Sequence, residues 1–560
     1  MEILQVENLN FRYNESSNEA LKEISFSVNE GDFVVLCGVS GCGKSTLLRL
    51  LKKETAPFGN KKGTVLYRGT RTENLDKRIS ASEIGFVMQN PEAQIVTDFV
   101  WHELAFGLES LGFPTGEIRR RTAEMANYFG IQHWFHKKTH ELSGGEKQLL
   151  NLASVMAMQP KLILLDEPTA QLDPIAASNF IATLQKINRE LGITVLIVEH
   201  RLEEVFPIAD RVLIMENGEL AFDGKPNEVS RFFDGNYCHP MACSLPSAMR
   251  IHQLLGYKDN APITVREGRE FLRENFLNTI DSLCIDERTT KNKTVLELKN
   301  IYFKYERDGE DILKDVSLNI SEGEHYCILG GNGTGKTTML KVIAGLLQAY
   351  RGKVIVDGKP ILSYKDNSLY IKKLAYLPQD PQTVFVEMTV REELFEMCRN
   401  LKLSKKNAEE KVDSIAKRLS IERLLDMHPY DLSGGEQQKA ALAKVLLAEP
   451  KILLLDEPTK AIDAYAKNVL GDIIKELNRA GVAVVTVTHD VEFAASTADR
   501  CSLFFDGAIV SVDVPARFFS ENSFYTTAAN RIARGFYKNA YLCEQVAELC
   551  RKNGRKGDLI

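Results

Sequence analysis

The sequence contains no hydrophobic stretch long enough to cross a membrane. Hydrophobic residues make up 44% of its 560 residues, but the apolar runs are short and of strand type, such as residues 162–165 and 452–455. Residues 1–9 alternate polar and apolar positions, without the basic-then-apolar plan of a signal peptide. We therefore expect a chain that does not cross a membrane by itself.

An excess of positive charge is also missing. The chain has 70 Lys and Arg against 76 Asp and Glu, so its net charge of −6 gives no broad basic field for nucleic acid. Its 10 cysteines are scattered, and Cys238, His239 and Cys243 match no common zinc spacing. Reduced thiols in a cytoplasmic protein fit this pattern best.

One string of motifs occurs twice in the same order, over residues 13–200 and again over residues 305–489. The loop lysines Lys44 and Lys336 are 292 positions apart (44 to 336), and the copies stay in register to within a few residues. A chain of 560 residues is long enough for two to four domains, each with its own core. The duplication therefore predicts two equivalent domains.

Each copy contains a glycine-rich loop between an apolar strand and a helical run. Residues 38–46 and 330–338 match the pattern GxxxxGK[ST] in the strand, loop, helix context that it requires. The glycines let backbone N–H groups turn toward phosphates, and the helix N-terminus adds partial positive charge. We expect lysines that hold the β and γ phosphates and hydroxyls that ligate Mg²⁺. They are Lys44, Lys336, Ser45 and Thr337.

Two acidic residues end an apolar run later in each copy. Residues 161–165 and 451–455 read as buried strands, and both lead into Asp-Glu-Pro. The first acid is expected to hold Mg²⁺ through water, and the second to polarise the attacking water. These acids are Asp166 with Glu167, and Asp456 with Glu457.

The sequence Leu-Ser-Gly-Gly-Glu stands between loop and acids in each copy, at residues 142–146 and 432–436. With this signature the chain resembles the ABC ATPase family. The resemblance implies a head-to-tail sandwich in which each ATP lies between one half's phosphate loop and the other half's signature. The implied contacts are Ser143 and Gly145 for the nucleotide held by Lys336, and Ser433 and Gly435 for the one held by Lys44.

Further pairs of residues match family positions. They resemble the aromatic that stacks on adenine, the glutamine that senses Mg²⁺ and the γ-phosphate, the switch histidine and the aspartate after the acidic strand. In that order they are Tyr13 and Tyr305, Gln89 and Gln379, His200 and His489, and Asp173 and Asp463. Lys460 stands in the second copy where the first has Ala170, which departs from the usual small-residue pattern.

The resemblance implies ATP and Mg²⁺ as cofactors and, since both halves keep every hydrolytic residue, two competent sites. The expected catalytic residues are Glu167, Glu457, His200 and His489. Further loop residues expected at the nucleotide are Gly38, Ser40, Gly41, Gly43, Thr46, Gly330, Asn332, Gly333, Gly335 and Thr338. The expected metal site residues are Ser45, Gln89, Asp166, Thr337, Gln379 and Asp456.

Segments outside the hydrolytic core resemble one subgroup of this family. Residues 90–107 and 201–204 are similar to the ATPase subunits of energy-coupling-factor (ECF) importers, particularly those in which two ATPases are fused. Residues 262–268 and 517–531 share this similarity, so it covers nearly the whole chain. It implies an integral membrane scaffold subunit of the T type, a separate substrate-binding membrane subunit, and a peripheral position on the cytoplasmic face of the cell membrane.

In that family the helix after the glutamine docks on the scaffold, whose arginines enter an acidic groove on each ATPase. Glu103 and Glu393 occupy equivalent places in Trp-His-Glu-Leu and Arg-Glu-Glu-Leu, with Asp98, Glu387 and Glu392 nearby. We expect these acids to receive the scaffold arginines in charge-assisted contacts. The alternative is an ordinary solvated helix face.

A soluble twin ATPase acting on ribosomes or nucleic acid is the alternative function. Such proteins place a long charged helical arm between their halves, whereas residues 225–294 have balanced charge and prolines that break helices. No nucleic-acid partner is therefore expected. The cargo stays open among thiamine or its pyrimidine precursor, another vitamin, cobalt and nickel, and the fused form favours a thiamine-related compound.

The expected fold class is α/β, with two tandem phosphate-loop NTPase domains of the ABC ATPase type. Each should combine an α/β core with a small antiparallel β subdomain and a helical subdomain that carries the signature. The predicted domains are 1–226 for the first ATPase, 227–294 for its extension and linker, 295–513 for the second ATPase, and 514–560 for a C-terminal extension.

Overall fold

A computed structural model describes residues 1–14, 18–233, 239–276, 281–283, 293–365, 368–460 and 462–554. Its packing divides the chain into two units, Met1–Phe271 with Asp463–Tyr465, and Leu272–Ile462 with Ala466–Ile560. The domain limits given above stay predictions. Cys238 and, within the predicted extension and linker, residues 277–280 and 284–292 lie outside the described residues.

The elements of the first unit follow in chain order. They are β1 (Glu2–Tyr13), β2 (Leu21–Asn29), β3 (Phe33–Gly38), α1 (Lys44–Leu50), β4 (Gly59–Tyr67), β5 (Thr70–Arg71), α2 (Lys77–Glu83), β6 (Ile84–Val87), α3 (Val100–Ser110), α4 (Thr115–Tyr128), α5 (Gly144–Ala157), β7 (Leu162–Asp166), α6 (Pro174–Leu191), β8 (Thr194–Val198), α7 (Leu202–Val205), β9 (Arg211–Glu216), β10 (Glu219–Gly224), α8 (Val229–Phe232) and α9 (Ser247–Leu254). Helix α10 (Val265–Asn275) follows them.

The first unit contains two β-sheets. An antiparallel sheet has the order β2-β1-β4-β5, and a second sheet has the order β10-β9-β3-β8-β7-β6. In the second sheet every pair is parallel except β9 with β10. Strands β3, β7 and β8 are buried along their whole length, as continuous apolar strands of a covered parallel sheet are. Their carboxyl ends meet at one edge, where open α/β sheets bind ligands.

The elements of the second unit follow a similar order. They are β11 (Asp281–Ser282), β12 (Thr294–Phe303), β13 (Leu313–Ser321), β14 (His325–Leu329), α11 (Lys336–Ile343), β15 (Arg351–Val356), β16 (Lys359–Pro360), β17 (Leu374–Leu377), α12 (Val390–Asn400), α13 (Lys405–Leu419), α14 (Gly434–Leu446), β18 (Ile452–Asp456), α15 (Ala464–Arg479), β19 (Ala483–Thr488), α16 (Val491–Thr497), β20 (Arg500–Phe505), β21 (Ala508–Asp513), α17 (Pro515–Glu521), α18 (Ala528–Ala533), β22 (Tyr537–Lys538) and α19 (Cys543–Asn553).

The sheets of the second unit have the same topology as those of the first. The antiparallel sheet has the order β13-β12-β15-β16, and the larger sheet has the order β17-β18-β19-β14-β20-β21. A short parallel pair, β11 with β22, ties the connector to the C-terminal extension. The core of this unit includes an apolar cluster under the helices α12 to α14, another between its two sheets, and a smaller one where β14 packs against α16 and α17.

The helical part of the first unit packs α3 against α4 and α5. Its contacts are apolar, with Val100, Leu104, Ala126 and Leu150 in one buried cluster. An α/β core, an antiparallel sheet and a helical part with the signature therefore occur in each unit, and the expected fold class is confirmed. Among the described residues, no helix has the length and apolar character that a membrane span requires.

Candidate functional site

The phosphate loop of the first unit joins β3 to α1. Gly43 precedes α1 with a φ of 103°, and a Cβ there would lie 2.7 Å from the carbonyl oxygen of Ala20, so only glycine fits. The Lys44 ammonium is buried and donates to the carbonyl oxygens of Gly38 and Val39, at 2.9 and 3.0 Å. It is thereby held over the loop where phosphates are expected.

A hydroxyl and a carboxylate meet beside this loop. Ser45 Oγ donates to Asp166 Oδ1 at 2.8 Å, because α1 begins beside the carboxyl end of β7. Burial raises the pKa of Asp166, and the Ser45 hydroxyl partly opposes that rise. Hard oxygen ligands of this kind suit Mg²⁺, so the residues fit the expected ion.

Glu167 follows Asp166 and has its carboxylate held at both oxygens. His200 Nε2 lies 2.8 Å from Oε1, and Gln89 Nε2 donates to Oε2 at 2.8 Å. Burial raises the pKa of Glu167, but the contact with His200 and the charge of Lys44 outweigh it and hold the pKa below its usual value. The carboxylate is thus ionised and oriented, as a group that polarises water must be.

The second unit repeats the loop and the hydroxyl pair. Lys336 Nζ donates to the carbonyl oxygens of Gly330 and Gly331 at 3.0 and 2.8 Å. Thr337 Oγ1 donates to Asp456 Oδ1 at 3.0 Å. Burial raises the pKa of Asp456, as it does for its counterpart in the first unit.

The surroundings of Glu457 differ from those of Glu167. His489 Nδ1 lies 2.9 Å from Glu457 Oε2 without hydrogen-bond alignment, and the His489 amide donates to the same oxygen at 3.2 Å. Lys336 Nζ lies 3.9 Å from Oε1. Among the described residues, Gln379 forms no hydrogen bond with Glu457, so the contact made by Gln89 in the first unit is not repeated.

The tyrosines proposed for adenine lie at the ends of their strands. The Tyr13 hydroxyl is 2.8 Å from Thr46 Oγ1, and the Tyr305 hydroxyl is 3.0 Å from Thr338 Oγ1. Both rings are exposed, at 38% and 61%. Each ring therefore lies beside its phosphate loop with a face open to a base, and adenine stacking stays a prediction.

The signature serines begin helices rather than contacting the loop of their own unit. Ser143 Oγ donates to Glu146 at the start of α5, and Ser433 Oγ does the same with Glu436 at the start of α14. These capping boxes fix the helix starts. The expected contact of each signature with the other half's nucleotide stays a prediction.

Sequence reasoning missed Tyr376, which the structure places at the candidate metal site. The Tyr376 hydroxyl donates to Asp456 Oδ2 at 3.1 Å, beside the expected magnesium position. Tyr376 lies in β17, at the position that Phe86 holds in β6 of the first unit. Comparing the strands before the two glutamines position by position would have found it.

The prediction that Glu103 and Glu393 receive partner arginines is wrong for these two side chains. Both are buried, at 4% and 1% exposure. Glu103 Oε2 accepts from the amides of Val96 and Thr97 and from the Thr97 hydroxyl. The carboxylate of Glu393 accepts from the amides of the matching loop and from Lys444 Nζ at 2.6 Å. Each folds back to cap the loop before its helix, and both oxygens of Glu393 are engaged there.

Comparison with known proteins agrees with this geometry. The family model described as "ABC transporter" matches residues 21–170 and 313–460, one segment in each unit. The chain belongs to this family. It is an ABC transporter ATP-binding protein with two tandem ATPase domains, and members of the family bind and hydrolyse ATP.

Two relatives extend the similarity along almost the whole chain. A protein of Bacillus cereus, provisionally named ABC transporter ATP-binding protein, is 43% identical over 549 residues, 98% of each chain. A Bacillus subtilis protein, provisionally named HMP/thiamine import ATP-binding protein YkoD, is 32% identical over 529 residues, 93% of each chain. Among solved structures, cbiO1 from Clostridium perfringens, part of the ABC transporter complex cbiONQ, is 32% identical and covers 43% of this chain and 98% of its own, with a TM-score of 0.38.

Proposed function

We propose that this chain is the ATPase subunit of an ECF-type importer of a vitamin, a cofactor precursor or a transition metal. ATP-driven closure of its two halves would power the membrane partners, from the cytoplasmic face of the cell membrane. The observation that carries the ATPase part of the proposal is that each unit holds a buried loop lysine, a hydroxyl paired with an aspartate, and a glutamate beside a histidine. The relative named for HMP/thiamine import supports a thiamine-related cargo.

The chemistry follows from the contacts in the first unit. Lys44 would exchange the carbonyl oxygens of its loop for phosphate oxygens. Ser45 and Asp166 would hold Mg²⁺, whose charge offsets that of the phosphates. Glu167 would polarise the attacking water, and His200, already 2.8 Å from it, would keep its carboxylate aimed. The second unit offers Lys336, Thr337, Asp456, Glu457 and His489 for the same steps.

The proposed partner surface is on α3 of the first unit. An open cavity of about 870 Å³ is lined by residues before and along this helix. Trp101 and Phe106 are exposed there, at 40% and 39%, and Val96 is exposed beside them. Asp98 and Glu109 add negative charge at the same cavity. A cavity lined by aromatic rings and carboxylates fits a partner helix that presents an apolar side chain flanked by arginine or lysine.

The matching surface of the second unit has a different character. Val386 and Met388 are exposed before α12, but the helix itself presents charged pairs. Arg391 Nε lies 2.9 Å from Asp426 Oδ1, and Arg399 Nη2 lies 2.7 Å from Glu387 Oε1. We propose that the two surfaces take two unlike segments of one membrane scaffold, the aromatic surface binding the more apolar one.

The test replaces both exposed aromatics, Trp101→Ala with Phe106→Ala, in cells that express the chain with its membrane partners. Recovery of the complex with membranes and uptake of labelled thiamine should fall at least about fivefold, as expected for aromatic anchors at an interface. ATP hydrolysis by the isolated chain should stay unchanged. Phe58→Ala, which alters a ring 93% exposed outside the cavity, is the matched control.

The ribosome-acting alternative is tested in the same cells. If the wild-type chain sediments with ribosomes and does not enter the membrane fraction when partner genes are present, the importer proposal fails. Membrane recovery with no effect of the double variant would instead contradict only the docking surface.

A further inference from the structure

The turn after the catalytic acids has the same backbone in both units but a different side chain. The amide of Ala170 donates to the carbonyl oxygen of Glu167 at 3.1 Å, and the amide of Lys460 donates to that of Glu457 at 3.1 Å. An alanine and a lysine therefore occupy matching positions, three residues beyond the glutamate. Only the second unit adds a cation here.

Lys460 is partly withdrawn from water, and its charge interacts with the carboxylates of Glu457, Asp380 and Asp456. Burial lowers the pKa of its ammonium, and these three acids oppose that shift. Within the described part of the chain, no carboxylate lies within 4 Å of it, in contrast to Lys467, whose Nζ is 2.6 Å from Asp490. A half-buried ammonium without a contacting anion is unfavourable unless an anion arrives.

The second unit also has a negative charge, on Asp380, at a position where the first unit has a neutral residue. The Asp380 carboxylate accepts from the amide of Gln382 at 3.0 Å, and in the first unit Asn90 accepts from the amide of Glu92 at 3.1 Å. Because the asparagine makes the same cap, the cap does not need a negative charge. The charge of Asp380 interacts with that of Lys460, but within the described residues its carboxylate does not come within 4 Å of the ammonium. The second unit thus has Asp and Lys where the first has Asn and Ala.

Lys460 lies near the place where the end of the triphosphate is expected. Lys336 Nζ donates to its own phosphate loop and also lies 3.9 Å from Glu457 Oε1. The loop and the expected catalytic glutamate are therefore adjacent. The backbone turn that carries Lys460 starts at Glu457. A lysine side chain on this turn has the length to reach an oxygen beside the Glu457 carboxylate.

We propose that Lys460 binds the γ-phosphate of the nucleoside triphosphate held by Lys336, and that it gives the second unit alone a tighter site for ATP than for ADP. This inference rests on the nucleotide site of the proposed function. The first unit, with Ala170, binds the two nucleotides with less discrimination. At a given ratio of ATP to ADP, the second site therefore holds a larger share of its nucleotide as ATP than the first.

The experiment uses the full chain with Glu167→Gln and Glu457→Gln to stop hydrolysis. Photolabelling with 8-azido-ATP and with 8-azido-ADP, followed by peptide mapping, gives a half-saturation concentration for each unit separately. Lys460→Met should raise the value for the ATP analogue in the second unit by about tenfold, the effect of one lost charge-assisted contact. The ADP analogue and the first unit should change less than about twofold, and Lys460→Arg should restore most of the loss.

Ala170→Lys is the matched gain of function, and it should tighten only the ATP analogue in the first unit. Equal weakening of both analogues by Lys460→Met would mean a structural role and overturns the inference, as does no change at all. If the wild-type background binds neither analogue in either unit, the proposed nucleotide sites themselves fail, which is a different result.

Discussion

The Tyr376 hydroxyl donates a hydrogen bond to Oδ2 of Asp456, whose other oxygen accepts from Thr337. In the first unit the matching strand position holds Phe86, and Asp166 accepts from Ser45 on one oxygen. The two expected magnesium sites thus differ by one donor. That donor favours the ionised form of Asp456, which burial otherwise disfavours.

Replacing Tyr376 with phenylalanine tests this relationship. Loss of the donor raises the pKa of Asp456 beyond the rise that burial already causes, so the metal-binding carboxylate is protonated at higher pH. The acid limb of ATP hydrolysis should therefore shift to higher pH. The pH profile of phosphate release checks it, with Phe86→Tyr expected to shift the limb the other way. An acid limb that stays in place would contradict the role given to Tyr376.

The two catalytic glutamates can be tested as a matched pair. Glu167→Gln and Glu457→Gln each keep the shape of the side chain but remove the charge that polarises water. Phosphate release should fall by about 100-fold or more at the altered site, while ATP binding persists. Glu190→Gln on the exposed face of α6 is the control. If both single variants hydrolyse ATP at the wild-type rate, the assignment of these acids is wrong.

Sequence reasoning located the loops, acids, signature and fold because each depends on a local pattern. The strand, loop, helix order around Lys44 is readable from spacing alone, and the structure brings Ser45, Asp166 and Glu167 together as that order requires. The burial of Glu103 was not readable. The side chain of Glu103 turns toward the amides of Val96 and Thr97, which lie before the start of α3. A helical sequence pattern does not specify how that segment packs.

The two buried glutamates should differ in their contribution to stability. Glu393 pairs with Lys444, which is also buried and has a second contact with Glu396 at 3.1 Å. Glu393→Gln leaves that lysine with Glu396 as its one carboxylate partner, beside the Val384 carbonyl oxygen at 2.9 Å, and should cost about 2 kcal/mol. Glu103→Gln keeps an oxygen for the loop amides, and the matching position to Lys444 is Ser154, so it should cost about 1 kcal/mol.

Thermal unfolding of the two variants checks this order. Glu393→Gln should lower the midpoint more than Glu103→Gln, by about 2 °C. The combination of Glu393→Gln with Lys444→Met removes both charges and should recover part of the loss. Equal midpoints for the two single variants would show that the Glu393–Lys444 pair adds nothing to the capping of the loop.

A buried histidine should make the second unit sensitive to acid. His325 begins β14 with no exposure, its Nδ1 lying 3.0 Å from the Thr497 carbonyl oxygen and its Nε2 lying 2.9 Å from Thr486 Oγ1. Burial lowers the pKa of His325 to about 4, although the nearby Asp499 opposes the shift. The ring is therefore neutral in the folded protein at neutral pH, donating to the carbonyl and accepting from the hydroxyl.

The folded and unfolded chains bind the His325 proton over different pH ranges, and this sets how stability changes with pH. Because the unfolded chain takes up a proton near pH 6.5 and the folded chain only near pH 4, the unfolded state binds more protons between these values. Stability is therefore complete above pH 6.5 and falls as the pH drops, by at most about 1.4 kcal/mol per pH unit. The first unit has buried Phe33 at the matching position, so His325→Phe should flatten the fall in unfolding midpoint between pH 7 and pH 5. An unchanged slope in this variant would mean that other groups carry the acid sensitivity.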